Sequence, residues 1–176
     1  FGGVDVLVNN AGVLGPVGLL DEVAWSAWKD TVAVNLLGPV YLCRAFLPHL
    51  RARGGGKIIN LSGGGATGPR PGACAYAAAK TALVRFTETL AVELSGTGIE
   101  VNAISPGAMA TRMMTDLLEA GPERVGAKEY AHTQEMLEDT PRAQAIIEGA
   151  LMDGVRSKAE MKAAAALVAA ALPTAT

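Results

Sequence analysis

The 176-residue sequence is poor in aromatic side chains, at 5%, and holds only two cysteines, Cys43 and Cys74. Two thiols without C-x-x-C spacing exclude a disulfide framework and lead us to expect a reducing, cytoplasmic setting. Neither sign of charge dominates: fifteen Lys and Arg stand against seventeen Asp and Glu, a formal net charge of −2. That balance argues against nucleic-acid or membrane-surface binding driven by charge. No uninterrupted apolar run approaches the ~18 residues of a membrane span, so neither a spanning helix nor a membrane partner is expected. His49 and His132 stand apart with no second ligand at metal spacing, so no metal site is expected. An initiator Met is absent, as is the basic-then-apolar pattern of a signal peptide. Because the chain opens almost directly in a strand, it is expected to be one part of a longer domain.

What is present is 50% apolar, with 21 glycines and 9 prolines. That suits one globular domain with a sizeable core and excludes a disordered or collagen-like chain. Residues 4–8 read as a buried strand ending in Asn9-Asn10-Ala11-Gly12, and Asp21 is placed to cap a following helix. Apolar residues then recur at helical spacing over residues 28–50, where Pro39 is expected to bend or break the helix. Gly54-Gly55-Gly56 stops that helix before a second strand at 57–61. A Gly-rich loop, 62–72, leads into a helix over 76–94, and a third strand at 99–104 ends in Ser105-Pro106-Gly107. Strand, helix, strand, helix, strand predicts α/β architecture with a parallel sheet of about three strands. The lack of apolar/polar alternation predicts strands made for cover on both faces, but one sheet face is expected to lack helices unless the tail covers it, and the strand at 4–8 to be an unpaired edge.

Residues 112–140 carry three basic and seven acidic side chains together with Met113, Met114 and Met136. Two readings stay open: a substrate lid over 112–141, or a solvated helix pair whose methionines fill a core. The acidic charge argues against polyanionic substrates. Residues 142–176 are expected to form an Ala-rich helical tail. Trp25 and Trp28 read as core or interface packing, and Cys74 as a small buried residue at a helix start.

Tyr76 and Lys80 are four residues apart and share one helix face. A phenol with pKa near ~10 is a poor base at neutral pH, and a neighbouring ammonium favours its phenolate. Such a tyrosine can pass a proton to or from a substrate hydroxyl. Asn35, between Val34 and Leu36, is a poor helix former that can bind a water or a backbone group. In open α/β sheets, ligands bind beyond the carboxyl ends of the strands, where these groups gather.

Together, Asn9-Asn10-Ala11-Gly12, Asn35, Tyr76-x-x-x-Lys80 and Pro106-Gly107-x-x-x-Thr111 resemble the short-chain dehydrogenase/reductase family, in this order from residue 4 to residue 111. The resemblance implies a Rossmann-like, doubly wound sheet within one partial domain, residues 1–176. It implies hydride transfer between a nicotinamide, NAD or NADP, and a carbonyl or alcohol carbon of a small molecule. Tyr76 would be the acid/base. Lys80 would lower its pKa and hold the nicotinamide ribose, and Asn35 would position a water. Asn10, Ala11 and Gly12 would line the adenosine side of the cofactor, and Pro106, Gly107 and Thr111 the nicotinamide side. Helices 28–50 and 76–94 would form the interface of a homo-oligomer.

Three departures qualify that resemblance. Counting thirteen residues back from Tyr76, where the family places a serine, reaches Gly63, and the only adjacent hydroxyl is Ser62. Either Ser62 is re-aimed by the glycine run or the role is lost. No Gly-rich phosphate loop precedes the first strand, so NAD and NADP cannot be told apart. No Val-Asp-Gly-Gly-like last strand follows Pro141. The rival reading is therefore a non-catalytic remnant or binding module that keeps the fold without turnover.

Overall fold

Three short parallel strands organise the first of two compact units, Phe1–Ile104. They are β1 (Val6–Asn9), β2 (Gly56–Leu61) and β3 (Ile99–Ile104), in spatial order β1-β2-β3. The computed structural model describes residues 2–106 and 111–137. The register sets Leu7 beside Ile58 and Ile58 beside Val101, so these three share one face. Cys43, Leu50, Leu90 and Leu94 pack against them to form the core. Leu50 and Ile58 are fully buried, and each such side chain contributes about 1.5–3 kcal/mol.

Among the described residues the opposite sheet face is open, as expected. Val6 and Val8 on β1 are exposed, as are Glu100 and Asn102 on β3. Alternation therefore exists, with apolar side chains on both faces and only one face covered among the described residues. The open face carries valines where a one-sided sheet would carry polar groups, which is why the sequence read as buried throughout.

Between β1 and β2 runs a continuous helical stretch, Trp25–Ala52. It comprises α1 (Trp25–Val32), a wider π-turn at Ala33–Leu37, and α2 (Gly38–Ala52). Asp21 does not cap it: the cap position is Ala24, without a side-chain hydrogen bond, and Asp21 lies in the preceding turn. The break expected at Pro39 is the π-turn, which ends two residues before it. Lacking an N–H, Pro39 cannot donate to the Asn35 carbonyl as an α-helix requires, and the Gly38 N–H instead reaches the Ala33 carbonyl. Contrary to expectation, this stretch is long and apolar enough to cross a membrane by length and composition alone. Interspersed polar groups hid that in a search for unbroken apolar runs. Here Thr31, Asn35, Pro39, Cys43 and Leu50 are buried within the unit, as in a crossover helix.

The third helix, α3 (Cys74–Glu93), joins β2 to β3 and packs across both. Trp28 Nε1 donates to Cys74 Sγ at 3.4 Å at the start of α3, and Trp25 stacks on Trp28 at 5.0 Å. The second unit, Ser105–Thr176, contains α4 (Arg112–Ala120) and α5 (Pro122–Val125), and residues 127–137 are helical too. Met114, Leu117, Val125 and Thr133 are buried there, while Met113 and Met136 are half-buried. The expected tail, 142–176, lies outside the described residues.

Candidate active site

Tyr76 and Lys80 project from the first two turns of α3 and are both almost fully buried. Lys80 Nζ donates to the carbonyl of Leu61, the last residue of β2, at 2.7 Å. That bond ties α3 to the carboxyl end of the sheet. Burial disfavours the ammonium and pushes its pKa down to about 8, so it remains a cation at neutral pH. The ammonium lies 5.9 Å from the centroid of the Tyr76 ring. Burial pushes the Tyr76 phenol above its ordinary value, and the nearby Arg70 charge pulls against that shift. Arg70 Cζ also stands 5.9 Å from the ring centroid. Sequence spacing pointed to one cation beside the phenol; the fold provides two.

Asn35 is fully buried in the π-turn. Its Nδ2 donates to the Val13 carbonyl at 2.7 Å, and its Oδ1 accepts from the Val13 N–H at 3.1 Å. The side chain thus binds a backbone group, clamping the loop after β1 onto the helix at two points. Pro39, four residues on, denies the Asn35 carbonyl its usual α-helical donor. The same loop approaches the helix again at Gly15, whose φ of 77° favours glycine and where any Cβ would strike Thr31.

Gly12 completes the group. A Cβ there would lie 3.0 Å from Asn35 Oδ1 and 3.5 Å from Lys80 Nζ, so bare backbone faces both side chains. Asn10 is half-buried and Ala11 exposed in the same loop. Pro106 and Thr111 belong to the second unit, where the Thr111 carbonyl accepts from the Met114 N–H at the start of α4. Gly107 lies outside the described residues.

The Gly63-Gly64-Gly65 run is shaped by Tyr76. Gly63 is fully extended, and a Cβ built on it would collide with the Tyr76 hydroxyl. The space a side chain at position 63 would need is filled by the phenol itself. Gly65 packs on the helix backbone, with a Cβ there only 2.9 Å from Ala77 Cα. Thr81 Oγ1 donates to the Gly65 carbonyl at 3.3 Å and fixes the run in place. Ser62 is held through its backbone, which donates to Ile104 O at 2.8 Å; among the described residues no hydrogen bond joins it to Tyr76.

Sequence reasoning missed two features. One is Arg70, for which spacing within a Gly- and Pro-rich loop gives no signal. The other is a buried polar chain behind the site: Asn9 Nδ2 donates to Asn60 Oδ1 at 2.7 Å, and Asn60 Nδ2 to Thr87 Oγ1 at 2.8 Å. Polar residues at the ends of apolar strands were its available sign. A groove of about 500 Å³ between α2 and α3, lined by Cys43, Leu47 and Phe86 among others, lies toward the far end of α3 and belongs to neither feature.

Comparison with known proteins identifies the family. The short chain dehydrogenase family model matches residues 1–121. Dehydrogenase/reductase SDR family member 4 of Pongo abelii is 39% identical over 110 residues, 62% of this chain and 40% of that protein. A gluconate 5-dehydrogenase from Burkholderia cenocepacia J2315, solved with NADP and tartrate, is 34% identical with a TM-score of 0.62, covering 66% of this chain and 45% of that one. An NAD+-bound xylitol dehydrogenase is 28% identical with a TM-score of 0.62, at the same coverages of 66% and 45%. The chain spans about half the length of the curated relatives it matches. Its three-stranded sheet is a truncated form of their Rossmann-like fold, and its loop after β1, Asn35 and Tyr76–Lys80 pair occupy the matched region. The chain belongs to the short chain dehydrogenase family.

Proposed function

We propose that this chain is the catalytic half of an NAD(P)-dependent oxidoreductase, acting on a small carbonyl or alcohol substrate with Tyr76 as acid/base. The observation that carries the reading is the buried Tyr76–Lys80 pair, with Lys80 Nζ facing the bare backbone of Gly12. The residues fit a nicotinamide ribose. Lys80 spends one donor on Leu61, keeps two more, and faces a glycine whose missing Cβ leaves room for a sugar edge. When bound, the nicotinamide supplies or accepts the hydride. In reduction, the Tyr76 hydroxyl gives its proton to the substrate oxygen; in oxidation, its phenolate takes that proton back. The Lys80 and Arg70 charges favour the phenolate, and burial keeps competing water from it. The Asn35 carbonyl holds the water through which Tyr76 is reprotonated.

A second reading, a fold retained without turnover, draws on one observation: the Tyr76 hydroxyl is packed onto Gly63, where the family resemblance would place a serine. Titration of the chain with NADH and NADPH by nicotinamide fluorescence, followed by assay of carbonyl reduction, separates the two. Tyr76→Phe should lower turnover about 10²–10⁴-fold with cofactor binding retained. Absence of binding at millimolar cofactor, or an unchanged rate in Tyr76→Phe, overturns the enzymatic reading. We further propose self-association through the Trp25–Ala52 and α3 helices, and a cytoplasmic site of action, in keeping with two free thiols.

A further inference from the structure

The Tyr76 phenol lies along a glycine run whose backbone does not itself call for glycine. Gly63 is fully extended, with φ of −174°, and neither Gly63 nor Gly65 adopts a positive φ. Residues with side chains take such conformations freely. What excludes a side chain at both positions is one edge of the same ring. A Cβ on Gly63 would collide with the Tyr76 hydroxyl and lie 3.3 Å from Cζ. A Cβ on Gly65 would lie 3.1 Å from Tyr76 Cδ1, 3.2 Å from Cε1 and 2.9 Å from the Ala77 Cα. The ring edge from Cδ1 to the hydroxyl is thus bedded on bare main chain, at position 65 and then at 63.

That main chain is also held from outside the tyrosine. The Leu61 carbonyl accepts from Lys80 Nζ at 2.7 Å, and the Ser62 N–H donates to the Ile104 carbonyl at 2.8 Å. The Gly65 carbonyl accepts from Thr81 Oγ1 at 3.3 Å. Thr81 stands one turn beyond Ala77 on α3, so the helix that carries the phenol also grips the run beneath it.

We propose that Gly63 and Gly65 are positioning residues that seat the acid/base phenol, with Thr81 pinning them to it, so that main chain rather than a neighbouring side chain sets the reach of the Tyr76 hydroxyl. This role rests on the oxidoreductase reading above. Its consequence runs opposite to the family pattern: a serine returned to position 63 displaces the hydroxyl instead of assisting it. Relieving the collision takes a shift of about 1 Å, and a misplacement of that order at the reacting atoms costs about 10²-fold in rate.

The test follows diacetyl reduction by the full chain with NADH or NADPH, with cofactor affinity and active-site concentration taken from nicotinamide fluorescence. Gly63→Ser and Gly63→Ala should lower kcat about 10²-fold with the cofactor Kd unchanged. Thr81→Val, which loses one hydrogen bond and adds no clash, should lower kcat roughly 2–10-fold, and Thr81→Ser should restore it. Alkaline titration of phenolate absorbance, with Tyr76→Phe as the blank, needs no turnover. The Tyr76 midpoint should lie above its ordinary 10.0 in the wild type and fall toward it in Gly63→Ser and Thr81→Val, as the displaced phenol meets water. A Gly63→Ser chain as fast as the wild type, or faster, overturns the proposal and leaves the oxidoreductase reading standing. An unchanged kcat in Thr81→Val overturns it even where Gly63→Ser fails to fold, and so does a Tyr76 midpoint that neither substitution moves. Absence of cofactor binding and of turnover in the wild type, alongside a midpoint moved by both substitutions, upholds the seating and removes the oxidoreductase reading instead.

Discussion

Lys80 is the residue whose burial has the clearest cost. An unfolded chain keeps the ammonium protonated up to about pH 10.5, whereas the folded chain releases the proton near 8. Between those values the unfolded state holds more protons, so this group makes the fold more stable as pH rises. Urea unfolding of the wild type and Lys80→Met at pH 7.5 and 9.5 should show the wild type gaining relative to the variant, by about 2 kcal/mol. Tyr76 works in the opposite sense only above its ordinary pKa of 10.0, outside that window. At this scale Tyr76, Lys80 and Asn35 could be picked from the sequence because their order and spacing carry the chemistry. Arg70 could not, because its place depends on the path of a glycine run that only the packing against Tyr76 determines. Nor did spacing tell that the Asn35 side chain would be spent on Val13, since an amide in a helix serves backbone and water equally well.

Among the elements, the π-turn is where helix and site meet. Pro39 removes one backbone donor, the helix widens at Ala33–Leu37, and Asn35 is fixed in the widened segment against the loop after β1. Asn35→Ala should cost about 1–3 kcal/mol in urea unfolding, through loss of two hydrogen bonds to one backbone unit. It should also speed exchange of the Val13 amide selectively, as amide hydrogen exchange by NMR would show. Strands and helices emerged from sequence with their ends shifted by at most three residues, and β3 at its expected bounds. The proline signal was real, but its effect falls one turn earlier, because the group it deprives is the carbonyl four residues before it.

For the whole molecule, the exposed apolar surface is the leading fact. Val34, Leu37 and Tyr41 stand on successive turns of the crossover helix, and Leu37 and Tyr41 are 57% and 71% exposed. Large apolar side chains grouped in this way suit the proposed self-association. Sedimentation velocity should show a concentration-dependent dimer or larger species, shifted toward monomer by Leu37→Glu with Tyr41→Glu. An unshifted distribution would place association elsewhere, the open sheet face with Val6 and Val8 being the next region to test. The three-stranded parallel sheet was legible because each strand is bounded by glycine or Asn-rich turns. Its one-sided cover was legible only from the strand–helix units the sequence does not show, because a valine-rich face looks alike whether a helix covers it or not.

Parallel pairing also governs the order in which this sheet can assemble. Asn9 meets Asn60 across 51 residues, and Asn60 meets Thr87 across 27. Each loop must be closed before any strand hydrogen bond forms, so β2, which pairs with both neighbours, is the strand on which the others gather. Folding should therefore be slow for the chain's length, with the buried Asn9–Asn60–Thr87 chain among the last contacts made.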